Sequence, residues 1–204
     1  MVLSDMGWHK LAEEERSVVY PYHDRQIRLS DGRRRISYGQ SSAGYDLTLD
    51  SREILVPKRF VLLDPKSEHI RRAYDAVPPI VEQERGDVFW DIPPGGSALA
   101  LTVETIDIPR DHVGICVGKS TYARCGLLVN TTPLEPEWRG RLVLELHNIQ
   151  QHNSIRVYGN EGIAQLVLFR IDGPIFTSYA DRRGKYQNQD EITPARVLPL
   201  GGTL

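Results

Sequence analysis

Nine consecutive residues, Gly118-Lys119-Ser120-Thr121-Tyr122-Ala123-Arg124-Cys125-Gly126, hold two cations, two aliphatic hydroxyls and two glycines between an apolar run ending at Val117 and another beginning at Leu127. Hydroxyls and cations at this density can bind an anion or orient a water. Gly-Lys-Ser invites comparison with a phosphate-binding P-loop, whose backbone amides cradle phosphates while the lysine reaches the outer ones. The spacing excludes it, because that motif needs a glycine five residues before the Gly-Lys pair and Val113 stands there. A P-loop also opens a long helix, whereas Gly126 ends any helix here after a turn or two. Spacing alone leaves a basic turn between two strands.

A second candidate is Glu145, nineteen residues beyond Gly126. In Arg141-Leu142-Val143-Leu144-Glu145-Leu146-His147-Asn148 the leucines share one face of a strand, and Arg141, Val143, Glu145 and His147 share the other. A mid-strand carboxylate either faces solvent or sits in a pocket where it can move protons. Between the two candidates runs the proline-punctuated loop Pro133-Leu134-Glu135-Pro136-Glu137-Trp138-Arg139-Gly140. A last stretch, Tyr179 to Gln189, is polar, basic and aromatic at once, and its composition reads as a surface tail.

The elements that must position these groups are short. Thirteen prolines and seventeen glycines in 204 residues punctuate aliphatic runs into about eight to twelve strands, the pattern of an antiparallel sandwich or barrel. Strands are expected at Tyr45–Leu49, Val88–Ile92, Ser97–Ile108, His112–Val117, Leu127–Thr132, Arg141–Asn148, Ser154–Tyr158 and Ile163–Ile171. In the first of these, Tyr45, Leu47 and Leu49 form an apolar face while Asp46 and Thr48 point the other way. One or two further strands, interrupted by Pro57, fall in Arg52–Leu63. A short helix is expected around His69–Tyr74 and a surface loop over Val77–Asp87. Ser4 can cap a peripheral helix through Trp8, Leu11 and Ala12.

A net charge of −2 argues against a general nucleic-acid partner, which calls for a basic excess. No apolar run approaches the roughly 20 residues that span a bilayer. The acidic stretch before Arg16 is no signal peptide. Two cysteines, Cys116 and Cys125, are too few for a disulfide framework and suit a reducing compartment, so a soluble, cytoplasmic protein is expected.

Taken together, the chain resembles the dCTP deaminase family, which shares a distorted β-barrel with trimeric dUTPases. The matching blocks are Ser37-Tyr38-Gly39-Gln40-Ser41-Ser42-Ala43-Gly44-Tyr45-Asp46, Gly118 to Gly126, Thr132 to Gly140, Leu144-Glu145-Leu146-His147-Asn148 and Gly184-Lys185-Tyr186-Gln187-Asn188-Gln189. They occur in the family's order. The resemblance implies one dUTPase-like domain over residues 1–204, a mainly β, distorted antiparallel barrel or jelly-roll with a few short helices. Residues 1–16 would carry a peripheral helix and 179–204 a flexible tail that orders over the nucleotide.

The implied reaction is hydrolysis of dCTP to dUTP and ammonia, supplying dUTP for thymidylate synthesis. No zinc is implied, and the residues agree. Zinc-dependent nucleobase deaminases carry His-x-Glu and Pro-Cys-x-x-Cys segments. Neither occurs here: no histidine is followed two residues later by glutamate, and the two cysteines are nine apart.

By resemblance Glu145 is the general base toward the water that attacks C4 of cytosine. Arg124 stands beside base and water, and Ser120 helps orient them. The triphosphate falls to Lys119, Ser120 and Thr121 on one side and to Tyr179, Lys185 and Gln189 on the other, with Mg²⁺ held through the phosphates. Glu135 meets the sugar 3′-hydroxyl, and Trp138 shapes the deoxyribose pocket. The family is homotrimeric with sites between subunits, and it often uses dTTP as a feedback inhibitor. One branch carries a histidine where this chain has Asn130, which can position a group but cannot titrate. Two alternatives stay open: a bifunctional enzyme that also hydrolyses dUTP to dUMP and pyrophosphate, and a non-catalytic deoxynucleotide-binding module.

Overall fold

Apolar alternation in the longest runs becomes the strands that carry the core. The structure is a computed structural model that describes residues 1–14, 17–28 and 34–197. Residues 15 and 16 of the expected N-terminal segment and 198–204 of the expected tail lie outside the described residues. In chain order the elements are α1 (Asp5–Glu13), β1 (Val19–Tyr20), β2 (Gln26–Ile27), β3 (Tyr38–Ser41), β4 (Gly44–Thr48), β5 (Ile54–Pro57), a 3-10 turn (Ile70–Ala73), β6 (Tyr74–Val77) and β7 (Ile80–Val81). There follow β8 (Val88–Ile92), β9 (Ser97–Asp107), β10 (His112–Gly118), α2 (Ser120–Ala123), β11 (Leu127–Asn130), β12 (Arg139–Asn148), β13 (Ile155–Tyr158) and β14 (Gly162–Arg170).

A six-stranded sheet runs β11-β12-β9-β5-β6, with β1 also on β9. A five-stranded sheet runs β10-β14-β4-β3-β2, and a three-stranded one β13-β8-β7. The pairings between these strands are antiparallel. A bridge between Leu49 and Thr102 joins the two larger sheets, and Leu47, Leu49, Leu144, Leu146, Leu166 and Leu168 meet in one core. The fold is the expected distorted antiparallel barrel with a few short helices.

The departures have local causes. Helix α1, capped by Ser4 as expected, is not peripheral: Trp8 and Leu11 enter the core, and Trp8 meets Tyr45 with ring centroids 6.0 Å apart. Arg52–Leu63 holds one strand, β5, which stops at Pro57. The helix expected at His69–Tyr74 is a 3-10 turn that runs straight into β6, and β7 lies inside the expected loop. These strands have no period-two apolar pattern. They exist because β5 and β8 offer them backbone partners, and such pairing overrides a weak local preference.

Strand β4 also differs from its one-sided reading, since every one of its residues is buried. Asp46 and Thr48 therefore point into protein and must be satisfied there. Asp46 accepts from Lys119 Nζ, from Gln26 Nε2 at 2.7 Å and from Gln165 Nε2 at 3.2 Å. Thr48 gives its backbone N–H and its hydroxyl to Glu104, which is only 1 % exposed. Burial pushes the Glu104 carboxyl up to about 7, more than the Thr48 bonds pull it down.

Candidate active site

Strand β12 builds one wall of a groove of about 1000 Å³. Leu144 and Leu146 turn into the core, so the pleat sends Val143, Glu145 and His147 into the groove. Strand β11 lies antiparallel beside this stretch with Asn130 directly opposite Glu145. Cross-strand side chains are close enough to meet, and Asn130 Nδ2 donates to Glu145 Oε2 at 2.6 Å. The carboxylate is thus held by a donor that keeps its proton at every ordinary pH.

The loop after β11 supplies Thr132, Pro133, Leu134, Glu135 and Trp138 to the same groove. Trp138 also belongs to the core and is 5 % exposed, so its ring is a fixed surface. The last wall comes from the C-terminal segment: Tyr179, Arg182, Arg183, Lys185, Tyr186 and Gln189 line the groove. Strand β6 contributes Tyr74, whose phenol is raised by burial first and then by the negative charge of Glu145.

Sequence reasoning missed Tyr74, Arg182 and Arg183. For the arginines a signal existed in the basic, aromatic character of the tail. For Tyr74 none did, because its role depends on β6 pairing with β5.

The C-terminal segment is laid against the barrel by backbone bonds rather than standing free of it. Tyr179 N–H donates to Pro136 O at 2.9 Å, and Asn188 N–H donates to Arg139 O at 2.8 Å. Gln189 forms a parallel bridge to Gly140. The contact is so close that a Cβ on Gly140 would stand 2.8 Å from the Gln189 backbone nitrogen, and Gly140 itself has φ +149°. Only glycine fits both demands. Within the segment, Lys185 Nζ donates to Arg196 O at 2.6 Å, Tyr179 Oη accepts from Tyr186 N–H at 3.0 Å, and Arg182 pairs with Glu135.

The opening motif goes elsewhere. Helix α2 is a single turn ended by Gly126 at φ +89°, and neither Lys119, Ser120, Thr121 nor Arg124 lines the groove. Lys119 turns inward to Asp46, with its side chain 11 % exposed. In that position its ammonium neutralises a buried carboxylate, against the expectation that it faces phosphate. Removing it would leave Asp46 unpaired in the core, a loss of about 3–5 kcal/mol for buried pairs in general. Ser120, Thr121 and Arg124 are exposed, and Arg124 reaches back to the Ser120 carbonyl at 3.5 Å. One chain therefore brings together Glu145, Glu135, Trp138, Tyr179, Lys185 and Gln189, and leaves Ser120, Thr121 and Arg124 outside.

Arg141 also leaves its expected face. A bulge between Arg141 and Val143 breaks the alternation, and the guanidinium turns into the protein onto Asp50 and the Thr102 carbonyl. Among the described residues no group of three or more His, Cys, Asp or Glu is arranged to hold a metal ion. No described helix is long and apolar enough to cross a membrane.

The class is that of a mainly β barrel whose groove combines a mid-strand carboxylate, several cations and aromatic rings. A family model described as dCTP deaminase-like matches residues 2–171. The chain is 41 % identical over 194 residues to the dCTP deaminase of Francisella philomiragia subsp. philomiragia, covering 95 % of this chain and 98 % of that one. It is 40 % identical, with the same coverage, to the dCTP deaminase of Francisella tularensis subsp. novicida. Among solved structures, the 2′-deoxycytidine 5′-triphosphate deaminase from Agrobacterium tumefaciens shares the fold, with a TM-score of 0.53 at 17 % identity over 86 % of this chain. The match spans about half of that longer chain, 49 % of its length. The protein belongs to the dCTP deaminase-like family.

Proposed function

We propose that the protein hydrolyses dCTP to dUTP and ammonia, with Glu145 as general base. The observation that carries this reading is Glu145, held by Asn130 from the neighbouring strand, in the wall of a groove also lined by Arg182, Arg183 and Lys185. A nucleoside triphosphate needs cations for its phosphates, a ring-lined slot for its sugar and base, and a carboxylate near C4. All three occur in one cavity.

In the reaction, Glu145 removes a proton from water as the water oxygen bonds to C4 of cytosine. As C4=N3 becomes a single bond the carboxyl passes that proton to N3, then takes the remaining proton of the new C4 hydroxyl and gives it to the amine, so that the C4–N bond breaks and ammonia leaves as the C4 carbonyl forms. Asn130 fixes Oε2, and among the described residues no side-chain hydrogen bond reaches Oε1, which leaves that oxygen for water. Participation of this kind contributes about 10²–10⁴-fold in rate. Glu135, freed from Arg182 by substrate, accepts from the sugar 3′-hydroxyl, while Arg182 joins Lys185, Tyr179 and Gln189 at the phosphates. Mg²⁺ held through the phosphates would add charge neutralisation beside Lys185 and Arg182.

Arg124 and Ser120 act in this scheme from a neighbouring subunit of a homotrimer. Ser120, at the start of α2, and Arg124, just after its end, are exposed and lie outside their own chain's groove, which leaves both free to reach the groove of a neighbouring copy.

The test is to incubate the protein with dCTP and Mg²⁺ and separate the products. dUTP with ammonia supports the reading. dUMP with pyrophosphate points to the bifunctional alternative, and binding without ammonia release to a non-catalytic module. Glu145→Gln keeps nucleotide binding and loses ammonia release; turnover at the wild-type rate in that variant would remove Glu145 from the mechanism.

A further inference from the structure

The groove's C-terminal wall is fastened to the barrel at one well-defined place. Strand β11 pairs with β12 only from Glu145 to Asn148, which leaves the outer edge of β12 open at its beginning. Residues 187–189 take that edge. Arg139 N–H donates to Gln187 Oε1 at 3.2 Å, Asn188 N–H donates to Arg139 O at 2.8 Å, and Arg141 N–H donates to Gln189 O at 2.7 Å. The Gln189 side chain closes the pair by donating to Arg141 O at 2.8 Å.

Arg141 is therefore bonded to Gln189 through both of its own backbone groups, while its guanidinium is anchored on Asp50 and the Thr102 carbonyl and also reaches the exposed Asp190 of the segment, Nη1 to Oδ1 at 3.9 Å. Its Nε donates to Thr102 O at 2.8 Å, its Nη2 pairs with Asp50, and the residue is 8 % exposed. Asp50 is held in turn by Arg52, through the backbone N–H at 2.8 Å and Nε at 3.1 Å. The neighbouring Leu142 N–H bonds the Thr102 hydroxyl at 2.9 Å, so the bulge is fixed on both sides. Burial alone would raise the Asp50 carboxyl, yet bonds from Arg141 and Arg52 outweigh it and hold the group below its usual range. The carboxylate therefore stays charged for the guanidinium to lower pH than an ordinary aspartate would.

We propose that Arg141, anchored on Asp50, is the positioning residue that sets Gln189 in the wall of the groove. It touches no substrate. It fixes the backbone angle at which the bulged start of β12 presents its N–H and carbonyl, and so fixes the segment that those groups hold. The part of this inference that concerns nucleotide binding rests on the proposed function; the part that concerns the segment does not.

Two variants test it. Arg141→Lys keeps the charge but loses the planar fork, and Asp50→Asn keeps the carboxylate's shape without its charge. Amide hydrogen exchange in the free protein reads the segment directly. Exchange at residues 187–190 rises about tenfold or more while protection in β9 is kept, and KM for dCTP rises about fivefold or more with kcat held within about twofold, the split expected for lost ground-state binding. Unchanged exchange at 187–190, or a fall in kcat with KM unmoved, overturns the assignment. Loss of β9 protection in both variants would show that Arg141 holds the sheet and not the segment, and would overturn it too. If the wild-type protein releases no ammonia, the functional reading fails while the exchange result stands. If it is active and 187–190 exchange is unmoved, the positioning role alone fails.

Discussion

The groove beside β12 and the α2 turn are equally rich in polar chemistry, and the barrel treats them in opposite ways. Around Glu145, β12 with the loop before it, the C-terminal segment, Tyr74 of β6 and the start of β9 converge from one chain on a single groove. At α2, Lys119 turns onto buried Asp46 and Tyr122 is buried in the core, while Ser120, Thr121 and Arg124 are left exposed. The difference teaches that a dense polar motif and a site are not the same thing. A site needs walls, and one chain supplies them at the groove and not at α2.

The sharpest way to break this comparison is to ask whether α2 works at a neighbour's groove. Arg124→Ala lies on an exposed turn, so it should leave the melting temperature close to that of wild type while ammonia release falls about 10²–10⁴-fold, as for a group acting at the reacting atoms. Mixing Arg124→Ala subunits with Glu145→Gln subunits, each inactive alone, should then recover activity. If each site joins one groove to the next subunit's α2 in a closed ring, random mixing of equal amounts restores about a quarter of the sites. No recovery after subunit exchange would confine each site to one chain, and the separation of α2 from the groove would have to be closed by movement instead.

A smaller effect is expected at Asn130. Asn130→Ala removes the donor that fixes Oε2, so kcat should drop about tenfold with KM little changed, in the range of a lost hydrogen bond to a charged group. Equal loss in kcat and kcat/KM assigns Asn130 to the transition state. A rise in KM alone would make it a binding residue.

The smallest effect concerns stability and lies away from both regions. The folded-state carboxyl of Glu104 sits at about 7, well above an ordinary glutamate. Between these two values the folded protein binds the proton that the unfolded chain has released, so this group's contribution to stability is full at acid pH and is lost as pH rises through 7. Urea unfolding should therefore show a decline from pH 5 to pH 8 that flattens in Glu104→Gln. An equal slope in both proteins would mean that Glu104 is not the group responsible.

Much of the scaffold could be read from local pattern. The runs that became β9, β12 and β14 are long, apolar and bounded by glycine, proline or charge, and burying them leaves few alternatives. Glu145 stood out because leucines on both sides assigned it to the other face of the same strand. The short strands β6 and β7 could not be read, since their residues have no apolar period and their partners are set by the sheet. Asp46 misled for a related reason. Alternation along β4 points it away from Tyr45 and Leu47, but nothing local reveals that the second face is also covered, or that Lys119, 73 residues away, is its counter-ion.

By itself the sequence determined the strand-rich class, the family blocks and the candidate carboxylate Glu145, because those follow from residue types and spacings of a few positions. Tertiary structure alone decided that Asn130 stands opposite that carboxylate, that Lys119 pairs with buried Asp46, and that Arg141 turns its side chain onto Asp50 while its backbone bonds Gln189. Each of these depends on strand register, on a one-residue bulge or on a partner far along the chain. A shift of one residue exchanges the two faces of a strand, so these contacts exist only once the whole barrel has fixed its pairings.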